Sequence, residues 1–284
     1  MIFVKKLISL ALALIMALSC FSVISFAEEE KPLSYVVLGD SIAYGSGLIN
    51  STDACYGKIV TETNGYTYAN HSVPGITSGV LLKMLTDNEA VRESVASADI
   101  ISISIGGNNF LTDNMIGLAF ASLVRKDMSG FDAIAENYYN ELCSIMDCIN
   151  GLNSDVPVLL QTIYNPQKGA AGVVYLEGGI RLNDMMRKYD AEHPGEIVIV
   201  EVADALNGDY ENFADDKIHP SAKGNEKIAV VILGKLSEMG LGTATEPVIS
   251  TPGLDFKMPV SFAVIINVIC ELFAIFSNLM NPLK

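Results

Sequence analysis

The stretch Tyr35-Val36-Val37-Leu38-Gly39-Asp40-Ser41 decides how this chain is read. Four apolar residues in a row suit a strand covered on both faces, and the glycine after them suits a sharp exit from it. Ser41 is therefore expected at the carboxyl end of a first strand, the edge of an open parallel sheet where ligands bind.

Short runs of similar texture follow at Thr67 to Asn70, Ile100 to Ile105, Val156 to Ile163 and Ile197 to Val202. Helical patterns fill the gaps, notably at Phe131 to Asn150, Val174 to Glu192 and Ser221 to Met239, the last opened by a serine suited to capping. Strands alternating with helices between residues 35 and 239 predict one α/β domain, a parallel sheet covered by helices on both faces. No internal repeat is visible.

The ends read differently. Met1 to Ala27 has the parts of a secretory signal: Lys5 and Lys6, an apolar run from Leu7 to Leu18, and Ser25-Phe26-Ala27 before the expected cut. A lipoprotein signal at Cys20 is the alternative, but Ala17-Leu18-Ser19 matches it poorly. Loss of the leader removes two lysines and no acids, so the formal charge moves from −15 to −17. That balance argues against nucleic acid and anionic polymers as partners.

Residues 240–257 hold several glycines and prolines and no apolar period, and are expected to form a linker. In 258–284, Asn267, Glu271, Asn278 and Asn281 would form one narrow polar stripe on an otherwise apolar helix. Two placements stay open: an interfacial membrane helix with the stripe turned to water, or a helix docked on its own domain or on a second copy. A spanning helix would carry Glu271 near the bilayer centre, at about 2.5 to 3.5 kcal/mol.

Four cysteines remain after processing: Cys55, Cys143, Cys148 and Cys270. Cys143 and Cys148 are five positions apart on a helix, about 140° around it, so they should not bond to each other. A bridge from Cys55 to one of them and buried free thiols are both open. No cysteine or histidine spacing suggests a metal, and neither metal nor cofactor is expected.

The chemistry-bearing residues are spread along the chain. Asp216-Lys217-Ile218-His219 lies before the last helix of the domain, where the aspartate can fix the imidazole while the other ring nitrogen faces Ser41. Gly75, in Asn70-His71-Ser72-Val73-Pro74-Gly75, follows the second strand, and Gly106-Gly107-Asn108-Asn109 follows the third. A backbone N–H and an amide side chain are suitable donors to a developing oxyanion.

Taken as an ordered set, Gly39-Asp40-Ser41 with Gly45, then Gly75, then Gly106-Gly107-Asn108, then Asp216-Lys217-Ile218-His219-Pro220 resembles the SGNH hydrolase superfamily, the GDSL-type lipases and esterases. The resemblance covers roughly residues 35 to 239. It implies a flavodoxin-like five-stranded α/β/α fold and hydrolysis of carboxylic esters. It also implies Ser41 as nucleophile, His219 as base and later acid, Asp216 as its orienting partner, and the oxyanion held by Ser41, Gly75 and Asn108.

One position departs from the pattern, since Asn109 stands where the family usually has aspartate. Activity with altered local bonding is the expectation there. Gly-x-Ser-x-Gly is absent and the acid and histidine are close together, so the α/β-hydrolase arrangement fits less well. His71 reads as structural and His193 as an exposed loop residue.

The expected protein is thus an exported or cell-surface esterase acting on a small-molecule, lipid or carbohydrate ester, with possible membrane association through 258–284. Two alternatives stand beside it: a polysaccharide O-deacetylase of the same mechanism, and a non-catalytic binding protein on the same scaffold.

Overall fold

The computed structural model describes residues 31–111, 115–258 and 262–280. The chain divides after Pro32 into two compact units, and the architecture below is that of Leu33–Lys284. The expected leader, Met1 to Ala27, lies outside the described residues.

Five strands, β1 (Ser34–Gly39), β2 (Thr67–Asn70), β3 (Ile100–Ser104), β4 (Val158–Gln161) and β5 (Val198–Val200), form one sheet in the order β2-β1-β3-β4-β5. Every pairing is parallel, with Val36 opposite Ile101 and Ile103 opposite Leu160. All five expected strands are present. The order reverses direction beside β1, which places a crevice between the carboxyl ends of β1 and β3.

The apolar runs split by the period of the pleat. Val36 and Leu38 join a core with Ile101, Ile103 and Leu160 on one face, while Tyr35 and Val37 join Ile100, Leu159 and Val200 on the other. Truncating one of these buried leucines or isoleucines to alanine costs about 2 to 5 kcal/mol.

The short α1 (Ser41–Tyr44) and α2 (Ser51–Ala54) lead into α3 (Tyr56–Asn64), and α4 (Ser78–Asp87) and α5 (Glu89–Ala96) connect β2 to β3. After β3 come α6 (Gly107–Leu111), α7 (Met115–Phe120), a π-helical turn at Ala121–Arg125 and the long α8 (Ser129–Leu152). Then α9 (Gly169–Glu192) joins β4 to β5, followed by α10 (Val202–Leu206) and α11 (Ala222–Glu238). On α11, Ser221 caps the start by accepting from the Gly224 N–H at 3.2 Å. Ile228, Ala229, Ile232, Leu233 and Leu236 are buried at helical spacing on the same helix.

The stretch 240–257 has no helix or strand, and it is strapped to the domain. Tyr66 donates to the Leu241 carbonyl at 2.7 Å, Val248 N–H donates to Thr63 Oγ1, and Leu254 N–H to Asn50 Oδ1. Beyond it, α12 (Phe262–Met280) lies against α9 and the π turn. Ala263, Ile266, Cys270 and Ser277 are buried, and Phe273 meets Phe120 edge to face at 5.3 Å.

Along the polar stripe Asn267 is half-buried, while Glu271 and Asn278 are exposed. Glu271 Oε1 accepts from the Ala170 N–H at 2.8 Å and so caps the start of α9, which has no side-chain cap of its own. The exposed surface of the helix is otherwise largely apolar, with Val264, Ile265, Val268, Leu272, Leu279 and Met280 exposed. Asn281 lies outside the described residues. Cys55, Cys143, Cys148 and Cys270 are all free thiols.

Candidate active site

The site grows out of the end of β1. Gly39 has φ +139°, and a Cβ there would stand 2.1 Å from the Ser104 carbonyl oxygen on β3. Only glycine allows the two strands to stay this close while the chain turns. Asp40 then caps α1 through Oδ1, which accepts from Ile42 N–H at 2.9 Å, and Ser41 begins the helix at the sheet edge.

Ser41 Oγ lies 2.9 Å from His219 Nε2, and His219 Nδ1 lies 2.5 Å from Asp216 Oδ2. The second Asp216 oxygen accepts from the backbone N–H groups of Ile218 at 2.9 Å and His219 at 3.0 Å. Lys217 adopts a left-handed conformation, φ +60°, which closes the loop tightly enough for both amides to reach one carboxylate oxygen. The loop is held from outside as well: Tyr164 donates to the Ile218 carbonyl at 2.9 Å, and Gln167 Nε2 to that of Lys217.

Two carboxyls near Ser41 are driven in opposite directions. Burial pushes Asp40 up to about 7, against the Ile42 N–H bond and the nearby His219. Burial also acts on Asp216, but the hydrogen bond and charge of His219 and the two amides outweigh it and hold the group below the ordinary aspartate value. Asp216 is thereby kept ionised as the imidazole's partner.

Gly75 lines the same cavity with φ +84°, and nothing lies within 4 Å of where a Cβ would stand. Asn108 also lines it, and its Nδ2 donates to the Ile76 carbonyl at 2.9 Å and to Asp40 Oδ2 at 3.3 Å. An oxyanion would compete for the longer of these two bonds.

The cavity beside Ser41 has a volume of about 420 Å³. Its walls are mainly apolar, including Phe110, Leu111, Ile163, Pro166, Tyr175 and Ile218. Sequence reasoning did not identify these wall residues. Pro166 sits in the loop after β4 and Tyr175 on the following helix, and their shared cavity exists only once β4 lies beside β3.

The structure thus brings Ser41, Gly75, Asn108, Asp216 and His219 to one place. His71 is elsewhere, with Nε2 2.8 Å from Ser94 Oγ and its pKa lowered by burial. His193 stacks on Tyr189 at 4.4 Å. Among the described residues, no group of three or more histidine, cysteine or carboxylate side chains could hold a metal.

Chemically, the arrangement can move the Ser41 proton to His219 Nε2 while Asp216 holds the other ring nitrogen. Solved structures share the architecture at low identity. A lipase from a goat rumen metagenome matches with a TM-score of 0.61 and 21% identity, over 74% of this chain and 99% of its own. A phospholipase A1 from Streptomyces albidoflavus gives 0.54 and 18%, over 71% and 98%. A catalytic mutant of an acetylxylan esterase from Geobacillus stearothermophilus gives 0.55 and 16%, over 72% and 94%.

No curated protein matches the chain by sequence. The model of the GDSL-like lipase/acylhydrolase family matches residues 37–227, about two thirds of the chain and a span that includes Ser41, Asp216 and His219. The chain belongs to the GDSL-like lipase/acylhydrolase family.

Proposed function

We propose that this protein is an exported serine acylhydrolase that cleaves carboxylic esters through an acyl-Ser41 intermediate, and that its substrates carry acyl chains longer than acetyl. Family membership makes it an ester-cleaving hydrolase. The finer reading is carried by one observation: the chain Ser41–His219–Asp216, at 2.9 and 2.5 Å, opens on an apolar cavity of about 420 Å³.

In this mechanism His219 Nε2 takes the Ser41 proton as Oγ adds to the ester carbonyl. The N–H groups of Ser41 and Gly75 and the Asn108 amide receive the oxyanion. The tetrahedral adduct collapses, and the alcohol leaves with the proton from His219. Water, deprotonated by the same imidazole, then adds to the acyl-enzyme and releases the acid.

The cavity sets the acyl length. Its mainly apolar walls favour an acyl chain longer than acetyl. Each buried methylene is worth about 0.8 kcal/mol, so kcat/KM for p-nitrophenyl esters should rise roughly fourfold per added carbon until the cavity is full. A profile that peaks at acetate would instead favour the O-deacetylase.

Export rests on the leader-like segment Met1 to Ala27 and lipid association on the apolar outward face of α12. The first experiment labels the mature chain and Ser41→Ala with a fluorophosphonate and measures ester hydrolysis by both. The expected result is labelling of the parent only and a fall in kcat of about 10⁴-fold or more in the variant. A folded parent that neither labels nor turns over would establish the binding-protein alternative.

A further inference from the structure

Asn108 and Asn109 grip the same segment of chain by different atoms. Asn108 holds the Ile76 carbonyl. Asn109 accepts from the Ser78 N–H at 3.2 Å through Oδ1, and its Nδ2 donates to Ser78 Oγ at 2.6 Å. Ser78 is fully buried and Asn109 nearly so. Between them they fix both ends of Ile76-Thr77-Ser78, the three residues that follow Gly75.

The far side of this knot is a carboxylate from α8. Glu141 Oε2 accepts the Ser78 hydroxyl and lies 3.4 Å from Asn109 Nδ2, while Oε1 accepts from Asn137 at 3.0 Å. Each polar atom has a partner of the right kind: the Asn109 oxygen meets a donor, its nitrogen meets acceptors, and the serine relays between amide and carboxylate. The requirement at 109 is specific, because a residue facing both a backbone N–H and a carboxylate must be acceptor on one side and donor on the other.

We infer that Glu141 is a positioning residue for the reaction: through Ser78 and Asn109 it fixes the segment after Gly75, and so the aim of the Gly75 N–H at the oxyanion. The inference rests on the acyl-Ser41 reading above. Glu141 does not line the cavity and acts only through the residues it holds.

The test is a swap. Asn109→Asp sets a second carboxylate against Glu141 and should lower kcat by about 10- to 100-fold, less than outright loss of an oxyanion donor, with KM within about twofold. Inhibition by an alkyl trifluoromethyl ketone, whose serine adduct carries the oxyanion, should weaken in parallel. Adding Glu141→Gln restores a donor opposite the introduced carboxylate, so the double variant should recover kcat and ketone affinity to within about threefold of the parent.

Fluorophosphonate labelling of the parent is run beside these assays. Parent labelling together with an Asn109→Asp variant of unchanged kcat, or with a loss that Glu141→Gln does not repair, overturns the role of Glu141 alone. No labelling of the parent overturns the serine reading and this inference with it. Should Asn109→Asp fail to fold, Ser78→Ala removes only the relaying hydroxyl. It should lower kcat and ketone affinity together by about 5- to 20-fold, and an unchanged kcat overturns the inference.

Discussion

Asp40 carries the clearest prediction for a single residue. Its folded pKa, about 7, lies above the value of an unfolded aspartate, roughly 3.9. The protonated carboxyl is therefore favoured in the native state. The stability it contributes is fully present below about pH 4 and is lost as pH rises through 7. Asp40→Asn keeps an oxygen for the Ile42 N–H and has no charge to bury. Between pH 5 and pH 8 the parent should lose on the order of 2 kcal/mol more unfolding free energy than the variant, as read by urea denaturation at the two pH values. Asp216 behaves oppositely: its folded pKa is depressed, so its contribution is present above the ordinary carboxylate range and is lost as acid titrates it. Ser41, Asp216 and His219 were legible in the sequence as candidates because their ordered blocks resemble the family's, and the fold brings the three side chains within hydrogen-bonding reach. Glu141 was not, since a lone glutamate in a helix looks like any solvated charge until Ser78 is folded against it.

Among elements, α9 and α12 show how one helix completes another. The first N–H groups of α9 have no side-chain cap within the helix, and Glu271 reaches in from α12 to accept one of them. Glu271→Ala should destabilise the protein by about 1 kcal/mol, seen as a lower thermal midpoint and faster amide exchange at Ala170, while Glu271→Gln should recover part of the loss. Helices with a strong apolar period and clear ends, such as α8 and α11, were readable in advance. The π turn at Ala121–Arg125 was not, because it is held by packing against α12 and has no local signal.

For the whole molecule, the largely apolar outward face of α12 is the feature that bears on attachment. The segment Ala263–Met280 is long and apolar enough to cross a membrane by length and composition, yet about 22% of it is buried against the rest of the chain. Val264, Ile265, Val268, Leu272, Leu279 and Met280 are exposed on it, and the chain as a whole is strongly acidic, with a formal charge of −15. Attachment to lipid should therefore be apolar in character. The mature chain should float with phosphatidylcholine vesicles, added salt should not release it, and deletion of residues 258–284 should leave it in the soluble fraction. A full-length chain that remains soluble and monomeric beside vesicles would contradict the lipid reading.

The class of fold and the five strands could be read along the chain, and the ordered blocks around Ser41, Gly75, Asn108 and His219 carried the resemblance to the family. They follow from local features: the β-rich runs that a doubly covered sheet needs, and motif blocks whose order is written in the chain. The shape of the cavity beside Ser41, the cap that Glu271 supplies to α9 and the knot of Ser78, Asn109 and Glu141 emerged only in three dimensions. Each of these joins residues far apart in the chain, and no periodicity or spacing encodes a contact between elements whose relative placement is set by packing of the whole core.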